Sequence, residues 1–237
     1  MLVSNLYTKL PKPQNYQRIE RKESDIKYLV IHYTANNGDT AKNNVLYYSE
    51  NVVKASAHFF VDDIEVCCSV PWYYRAWHCG GYKYPYSDGG ALNGICTNSN
   101  SIGIELCSRK TPNGLYYFTD AVIERAAKFV AQQMKTYHIS IDNVVRHYDV
   151  TGKHCPAPFV DYFAWREFKA KVMEYYHGKG GDNMVYYETL NQIPAGEQRE
   201  IVAELVKKGV IKGNEKGLHL SSDMTRLLVF LKRLQII

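Results

Sequence analysis

Tyr28-Leu29-Val30-Ile31-His32-Tyr33-Thr34 is the stretch on which the fold turns. Its apolar residues follow one another without alternation, the pattern of a short strand covered on both faces. Ser101-Ile102-Gly103-Ile104-Glu105-Leu106-Cys107 is a second run of the same kind. Around them the period changes. Thr40 opens a helix to about residue 49 with Ala41, Val45 and Tyr48 on one stripe, and Thr119-Asp120 caps a longer one in which Val122, Ala126, Phe129, Val130 and Met134 recur at helical spacing. Ala57-His58-Phe59-Phe60-Val61, an acidic turn at Asp62-Asp63, and Ile64-Glu65-Val66-Cys67-Cys68 read as a hairpin. Residues 143–146 read as a short strand delivering His147, and a final amphipathic helix covers about residues 159–176, with Phe163, Phe168 and Val172. Strands alternating with helices predict an α/β domain.

The composition shifts divide the chain. Residues 1–24 are polar, broken by Pro11 and Pro13, then charged, and are expected as an extended lead-in on the surface. The main domain is expected over residues 25–177, followed at 178–183 by Gly178-Lys179-Gly180-Gly181-Asp182-Asn183, a flexible linker by composition. Residues 184–237 read as a small helical domain. One helix is expected over about 195–208, with Ile201, Val202, Leu205 and Val206 inward, and another over about 222–235, with Met224, Leu227, Leu228, Leu231 and Leu234 inward. A unit of that size is marginal alone, so it is expected to pair with itself or with the main domain.

At 237 residues, with 46% hydrophobic and 22% charged, the chain has ordinary globular composition, which excludes disorder. No apolar run nears the roughly 20 residues that span a bilayer. The first residues lack the basic and apolar regions of a signal peptide, so the expectation is a chain cytoplasmic when made that acts after release or export. The net charge of +5 is spread out. Without basic runs interleaved with aromatics, or zinc-finger spacing, nucleic acid is not the expected partner. Tyrosine is unusually abundant, at 20 copies, many between Tyr73 and Tyr86, which suits a wet groove for glycan or peptide; ordinary half-buried strand positions are the alternative. The cysteines Cys67, Cys68, Cys79, Cys96, Cys107 and Cys155 form no CxxC pair and read as buried thiols, with a disulfide such as Cys79–Cys96 left open.

The chemistry concentrates in Arg146-His147-Tyr148-Asp149-Val150-Thr151-Gly152-Lys153-His154-Cys155-Pro156. His147 and Cys155 are soft-metal ligands, and Lys153 is a cation placed to favour the thiolate. His154 ranks below His147 as a ligand, because adjacent residues point in different directions. His32, held on a strand, is the third candidate. Two imidazoles and a thiolate suit Zn2+, and three protein ligands leave a position for water. Glu105 is the candidate base, since a carboxylate inside an apolar strand is hard to explain unless it faces a cleft; a solvent-facing edge position is the alternative. Lys153 is the candidate oxyanion partner, or else a surface lysine that only tunes Cys155. His78 in Ala76-Trp77-His78-Cys79-Gly80 is a candidate for substrate binding or oxyanion assistance, against a structural role, and Trp77 and Tyr33 are further substrate-binding candidates.

Together with Val30-Ile31-His32-Tyr33-Thr34, Ser56-Ala57-His58-Phe59-Phe60-Val61-Asp62 and Asn100-Ser101-Ile102-Gly103-Ile104-Glu105-Leu106, these motifs give the stretch from about Asp25 to Phe168 a family likeness. It resembles the zinc-dependent N-acetylmuramoyl-L-alanine amidases of the type shared with phage lysozyme-amidases and peptidoglycan recognition proteins. The resemblance implies a mixed central β-sheet flanked by helices, zinc on His32, His147 and Cys155, and catalysis by Glu105 and Lys153. It implies hydrolysis, by a zinc-activated water, of the amide joining the lactyl group of N-acetylmuramic acid to L-alanine, as in a phage or prophage endolysin or an autolysin. The implied partner is peptidoglycan or its muropeptides. Some members carry a catalytic tyrosine just before the histidine of the second motif; here that place is Ala57, so the base role falls to Glu105, as in the endolysin-like branch. Tyr187-Glu188-Thr189-Leu190, Ile193-Pro194, residues 205–213 and Met224-Thr225-Arg226 resemble a degenerate S-layer-homology repeat, which implies attachment to secondary wall polymers; a homodimerising helical pair is the alternative. The competing readings of the whole are a non-catalytic peptidoglycan-binding module and an interaction protein in which metal only holds the fold.

Overall fold

An apolar strand covered on both faces needs a partner along each edge and a layer over each face. The computed structural model describes residues 6–178, 186–213, 217, 218, 220–233 and 236. Its main sheet contains, in chain order, Tyr7–Thr8 (β1), Tyr28–Tyr33 (β2), Phe59–Val61 (β3), Val66–Cys68 (β4), Ser101–Leu106 (β5) and Val144–Arg146 (β6). In space the order is β1-β4-β3-β5-β2-β6, so β2 and β5 lie inside the sheet and have neighbours on both edges. Only the β3–β4 hairpin is antiparallel; its turn is closed by Asp62 Oδ1, which accepts from the amides of Ile64 and Glu65 at 2.7 Å. All other neighbours in this sheet are parallel, which gives the mixed α/β architecture.

Alternation along the strands sorts the side chains between two faces. Leu29, Ile31, Phe59, Val61, Ile102, Ile104 and Leu106 belong to the main core. The helices of this unit are Ala41–Glu50 (α1), Asp120–Tyr137 (α2), His147–Thr151 (α3) and Tyr162–Tyr176 (α4). Val122, Ala126, Phe129, Val130 and Met134 of α2 and Trp165, Phe168 and Val172 of α4 complete that core. Thr40, Thr119 and Asp161 cap α1, α2 and α4 by accepting backbone amides of the first turn. The Asp161 cap starts α4 later than its sequence pattern suggests. Its inward stripe then runs through Trp165, Phe168 and Val172, and Phe163, half a turn away, is 68% exposed.

The opposite face of the sheet is covered in two patches. Val30 and Val145 pack with Cys79, Cys96 and Val150, and Phe60 packs with Ala41, Val45, Ala57 and Cys67. On this same face His32 and Glu105 stand in register on adjacent strands. Every cysteine is a free thiol, so Cys79 and Cys96 share an apolar cluster without a bond.

The lead-in is more deeply engaged than an extended surface segment. Beyond β1, Tyr16–Gln17 pairs antiparallel with Arg75–Ala76. Asn15 is fully buried: its amide group donates to the carbonyls of Tyr48 and Asn51 at 3.0 and 2.8 Å and accepts from the amides of Val53 and Lys54. Arg21 is 6% exposed and donates to the carbonyls of Trp72, Asn98 and Ser101. Such long-range polar contacts leave no local periodicity in the sequence.

The chain divides into two compact units, Met1–Gly178 and Lys179–Ile237. Apart from Gly178, the linker expected at 178–183 lies outside the described residues. In the second unit Tyr186–Tyr187 (β7) pairs antiparallel with Leu220–Ser221 (β8), beside Glu197–Lys207 (α5) and Ser222–Arg233 (α6). Tyr187, Ile193, Val202 and Leu220 form its small core, with Leu228 packed against them. Met224 and Leu227, expected inward, are 49% and 54% exposed, because the inner stripe of α6 runs through the buried Thr225 and Leu228, a turn apart. The expected inward Leu234 lies outside the described residues. Among the described residues no helix is long and apolar enough to cross a membrane.

Phe168 is 1% exposed and stacks on Phe159 and Trp165 with ring centroids 4.8 and 5.5 Å away. Phe168→Ala is therefore expected to destabilise the main unit by about 3–5 kcal/mol. Urea unfolding followed by tryptophan fluorescence measures it; a loss below about 1 kcal/mol would show that this contact does not hold α4 in place.

Candidate active site

In open α/β sheets functional groups gather where parallel strands end. His32 is the penultimate residue of β2, Glu105 the penultimate residue of β5, and His147 follows directly on β6. Cys155 returns to them through the loop after α3. His32, His147 and Cys155 are 2%, 7% and 3% exposed, and their donor atoms all lie within 4.8 Å of one another. His32 Nδ1 faces Cys155 Sγ at 3.7 Å, and the two imidazole centroids are 4.7 Å apart. His147 Nδ1 is buried without a hydrogen-bond partner. His154 is exposed, in keeping with its lower rank as a ligand.

The loop is held by its own residues. Arg146 donates its amide to Asp149 Oδ2 at 2.8 Å and pairs through its guanidinium with Asp149 Oδ1 at 2.6 Å. The same guanidinium reaches the carbonyls of Phe159 and Val160, each at 2.9 Å, and so ties α3 to the segment entering α4. Gly152 ends α3 with φ +79°, where a side chain would be strained and a Cβ would lie 2.7 Å from Ser87 Oγ. The Tyr148 amide then donates to the Cys155 carbonyl at 2.7 Å, which folds Cys155 back over His32. The Cys155–Pro156 peptide is cis.

Burial sets the protonation states. It pushes the His32 imidazolium well below the ordinary range, with His147 and His78 adding to the effect, and takes His147 down to about 3, helped by Lys153. The Cys155 thiol is pushed up to about 12 by burial and then by Glu105, against the opposing pull of the Tyr33 amide and Lys153. Lys153 does favour the thiolate, as the sequence suggests, though less strongly than burial opposes it. It is exposed and lines the cleft, where desolvation of the sulfur outweighs its charge. Glu105 is raised to about 8, first by burial and then by Asp39, with Lys153 opposing. Its side chain reaches the cleft wall, yet Oε2 is sealed and has no partner. Without metal the cluster is thus uncharged: two neutral imidazoles, a thiol and a carboxylic acid at neutral pH.

The cleft over this cluster has a volume of about 770 Å³. Trp77 and Tyr33, expected to meet substrate, both line it. His78 does as well, but both its ring nitrogens face protein groups: Nδ1 lies 3.1 Å from His32 Nε2 and Nε2 3.1 Å from Ser101 Oγ. Both ring nitrogens of His78 are thereby engaged at the cleft wall. None of the tyrosines between Tyr73 and Tyr86 line the cleft; its aromatic wall is Tyr33, Tyr47, Tyr48, Phe60 and Trp77. Ala57 is 1% exposed in the cluster with Phe60 and brings no polar group.

Sequence reasoning missed one wing of the cleft. Asp39 accepts from Thr34 Oγ1 at 3.1 Å and from Asn36 and Asn44 side-chain amides at 3.1 and 2.6 Å, fixing the loop that joins β2 to α1. Asn36, Asp39, Asn43 and Tyr47 then continue the wall away from His32. The signal was present in Asn36-Asn37-Gly38-Asp39, polar turn residues directly after a strand that ends in a candidate ligand.

Residues 22–158 match the family model described as N-acetylmuramoyl-L-alanine amidase, and the chain belongs to that family. It is 36% identical over 171 residues to the N-acetylmuramoyl-L-alanine amidase BlyA of Bacillus subtilis (strain 168), covering 69% of this chain and 46% of BlyA. It is 35% identical to a probable N-acetylmuramoyl-L-alanine amidase of Bacillus licheniformis, covering 92% of this chain and 57% of that protein. The chain thus spans about half the length of these curated relatives. The solved catalytic domain of XlyA shares 28% identity and superposes with a TM-score of 0.54, covering 71% of this chain and 99% of that domain.

Glu105 yields a stability prediction for the zinc-free protein. Its carboxyl is raised from 4.5 to about 8 on folding, so the folded state holds a proton that the unfolded chain has lost. That contribution is fully present below about pH 4.5 and is lost as the pH rises through about 8. Glu105→Gln, which stays uncharged, should therefore gain Tm relative to wild type as the pH is raised across that window. Thermal melts in chelator at several pH values check this, and a difference that does not vary with pH would contradict it.

Proposed function

We propose that this chain is a zinc-dependent amidase that cleaves the bond between the lactyl carbonyl of N-acetylmuramic acid and the nitrogen of L-alanine in peptidoglycan. The observation that carries the reading is the convergence of His32, His147 and Cys155 within 4.8 Å at the floor of a cleft that also contains Glu105 and Lys153. Two nitrogens and a sulfur are a zinc donor set, and the orphaned His147 Nδ1 is a buried lone pair that a cation would satisfy. Zinc held by these three residues would supply a Lewis acid and would lower the pKa of a water to roughly 7.

The remaining roles fall to the chain's own groups. Glu105, on the cleft wall beside the three donors, takes the proton of the attacking water and returns it to the departing amine. The Lys153 ammonium faces the negative charge that develops on the carbonyl oxygen. Tyr33, Trp77, Tyr47 and Tyr48 offer flat apolar walls with polar tips for the peptide and the lactyl group, and the arm from Asn36 to Asn43 offers donors and acceptors for the stem peptide. The family match and the amidase names of the relatives support peptidoglycan as the substrate, in the setting of an endolysin or autolysin. For Lys179–Ile237 we propose attachment to wall polymers; a cleft of about 400 Å³ bounded by Tyr187, Pro194, Glu197, Val229 and Arg233 is where such a ligand would sit.

Zinc-loaded protein incubated with purified sacculi should release peptides with free L-alanine amino termini from uncut glycan, as read by mass spectrometry. Walls that stay intact would sink the amidase reading. Glu105→Ala should lower turnover by about 10²–10⁴-fold with zinc content unchanged. Cys155→Ser should instead lose zinc, measured by atomic emission after dialysis. Equal loss of metal in both variants would place Glu105 among the ligands rather than beside them.

A further inference from the structure

We infer that His78 is a positioning residue that dictates which nitrogen of His32 carries the proton, and that Ser101 and the Thr97 carbonyl set the direction of this control. The inference rests on the reading of His32 as a zinc ligand.

The argument starts from a group that can only accept. Ser101 Oγ lies 2.6 Å from the Thr97 carbonyl oxygen, so the serine proton is committed there. Ser101 is fully buried, and Oγ has a lone pair left for the nitrogen 3.1 Å away, His78 Nε2. That nitrogen must therefore be the donor, Nε2–H. A neutral imidazole with its proton on Nε2 has a bare Nδ1. His78 Nδ1 faces His32 Nε2 at 3.1 Å, so it accepts from His32 Nε2–H. His32 Nδ1 is left with its lone pair free, and it is this atom that faces Cys155 Sγ at 3.7 Å. Reversing any link would put two protons or two lone pairs face to face across a contact of 3.1 Å or less.

The surroundings are built to hold the relay. The amides of His78 and Cys79 both donate to Asn98 Oδ1, at 3.0 and 2.9 Å, which fixes the backbone that carries the ring. Gly103 on β5 makes the space: a Cβ there would lie 2.6 Å from His78 Cγ, so any other residue would push the ring away from His32. The His32 and His78 rings are twisted 85° apart with centroids 5.2 Å apart, and their facing nitrogens are 3.1 Å apart. Gly103 therefore serves the metal pocket without contacting it.

Two measurements test this, neither depending on hydrolysis. Long-range proton–nitrogen NMR of zinc-free wild-type protein should show both His32 and His78 protonated on Nε2. Zinc affinity by chelator competition should fall about 10–100-fold in His78→Phe and in Gly103→Ala, the usual effect of losing a partner that orients a ligand. His78→Asn, whose side-chain oxygen can accept near the position of Nδ1, should recover most of that affinity. His32 protonated on Nδ1 in the wild-type spectrum would overturn the inference, as would His78→Phe with undiminished zinc affinity. Should the variants fail to fold, the wild-type spectrum alone decides. Protein that shows the expected tautomers and binds zinc but leaves cell walls uncut would overturn the amidase reading and leave this inference standing.

Discussion

Four polar groups are buried on one face of an apolar sheet, and the rest of the domain is arranged around that fact. His32 and Glu105 are register partners on β2 and β5, so neither can turn away without breaking the central ladder. An ionised group moved into such a place costs several kcal/mol even after relaxation. With the imidazoles unprotonated and the thiol and carboxyl protonated, these groups avoid that cost by staying neutral. Neutrality does not satisfy every atom. His147 Nδ1 and Glu105 Oε2 remain without partners, and each such orphan costs about 1–3 kcal/mol. On the proposed reading, a dication that displaced the thiol proton would relieve the orphaned nitrogen, and affinity for metal would in part be affinity for a completed core.

Rigidity is distributed unevenly around this pocket. His32 and Glu105 belong to the sheet and inherit its precision. His147 and Cys155 belong to a loop, which compensates through the Arg146–Asp149 pair and the carbonyls that Arg146 caps. The wall made by Asp39 and its three donors is stiffened by hydrogen bonds rather than by packing. Ligand placement and substrate contact are thereby assigned to different parts of the chain, one built on strands, the other on the turn leading into α1.

The parts of this design that were legible in the sequence are those in which a residue type violates its local pattern. Glu105 stood out because it interrupts an apolar strand, and His147 with Cys155 because both lie in one short loop. The buried central strands were readable because parallel strands carry no polar alternation. What escaped notice depends on distance. The contacts of His78 with His32 and Ser101 leave no trace in sequence, because they join residues 46 and 23 positions apart. The tyrosines clustered in sequence between Tyr73 and Tyr86 do not line the cleft, whereas Tyr47 and Tyr48, unremarkable on a helix, do. The lysine that favours the Cys155 thiolate is visible in sequence, whereas the desolvation that opposes it is not.

Arg21 carries this separation of sequence from space furthest. It stands one position before the stretch that matches the family, residues 22–158, yet its guanidinium closes off the carbonyls of Trp72, Asn98 and Ser101 inside that stretch. Ser101 is also the residue that anchors His78. The cooperative unit therefore reaches upstream of the stretch matched by the family model. A protease that nicked the chain just after Arg21 would spare every ligand and every catalytic candidate. It would still strip three buried oxygens of their donor behind the pocket, so the vulnerable point of this domain is a peptide bond far in sequence from its chemistry.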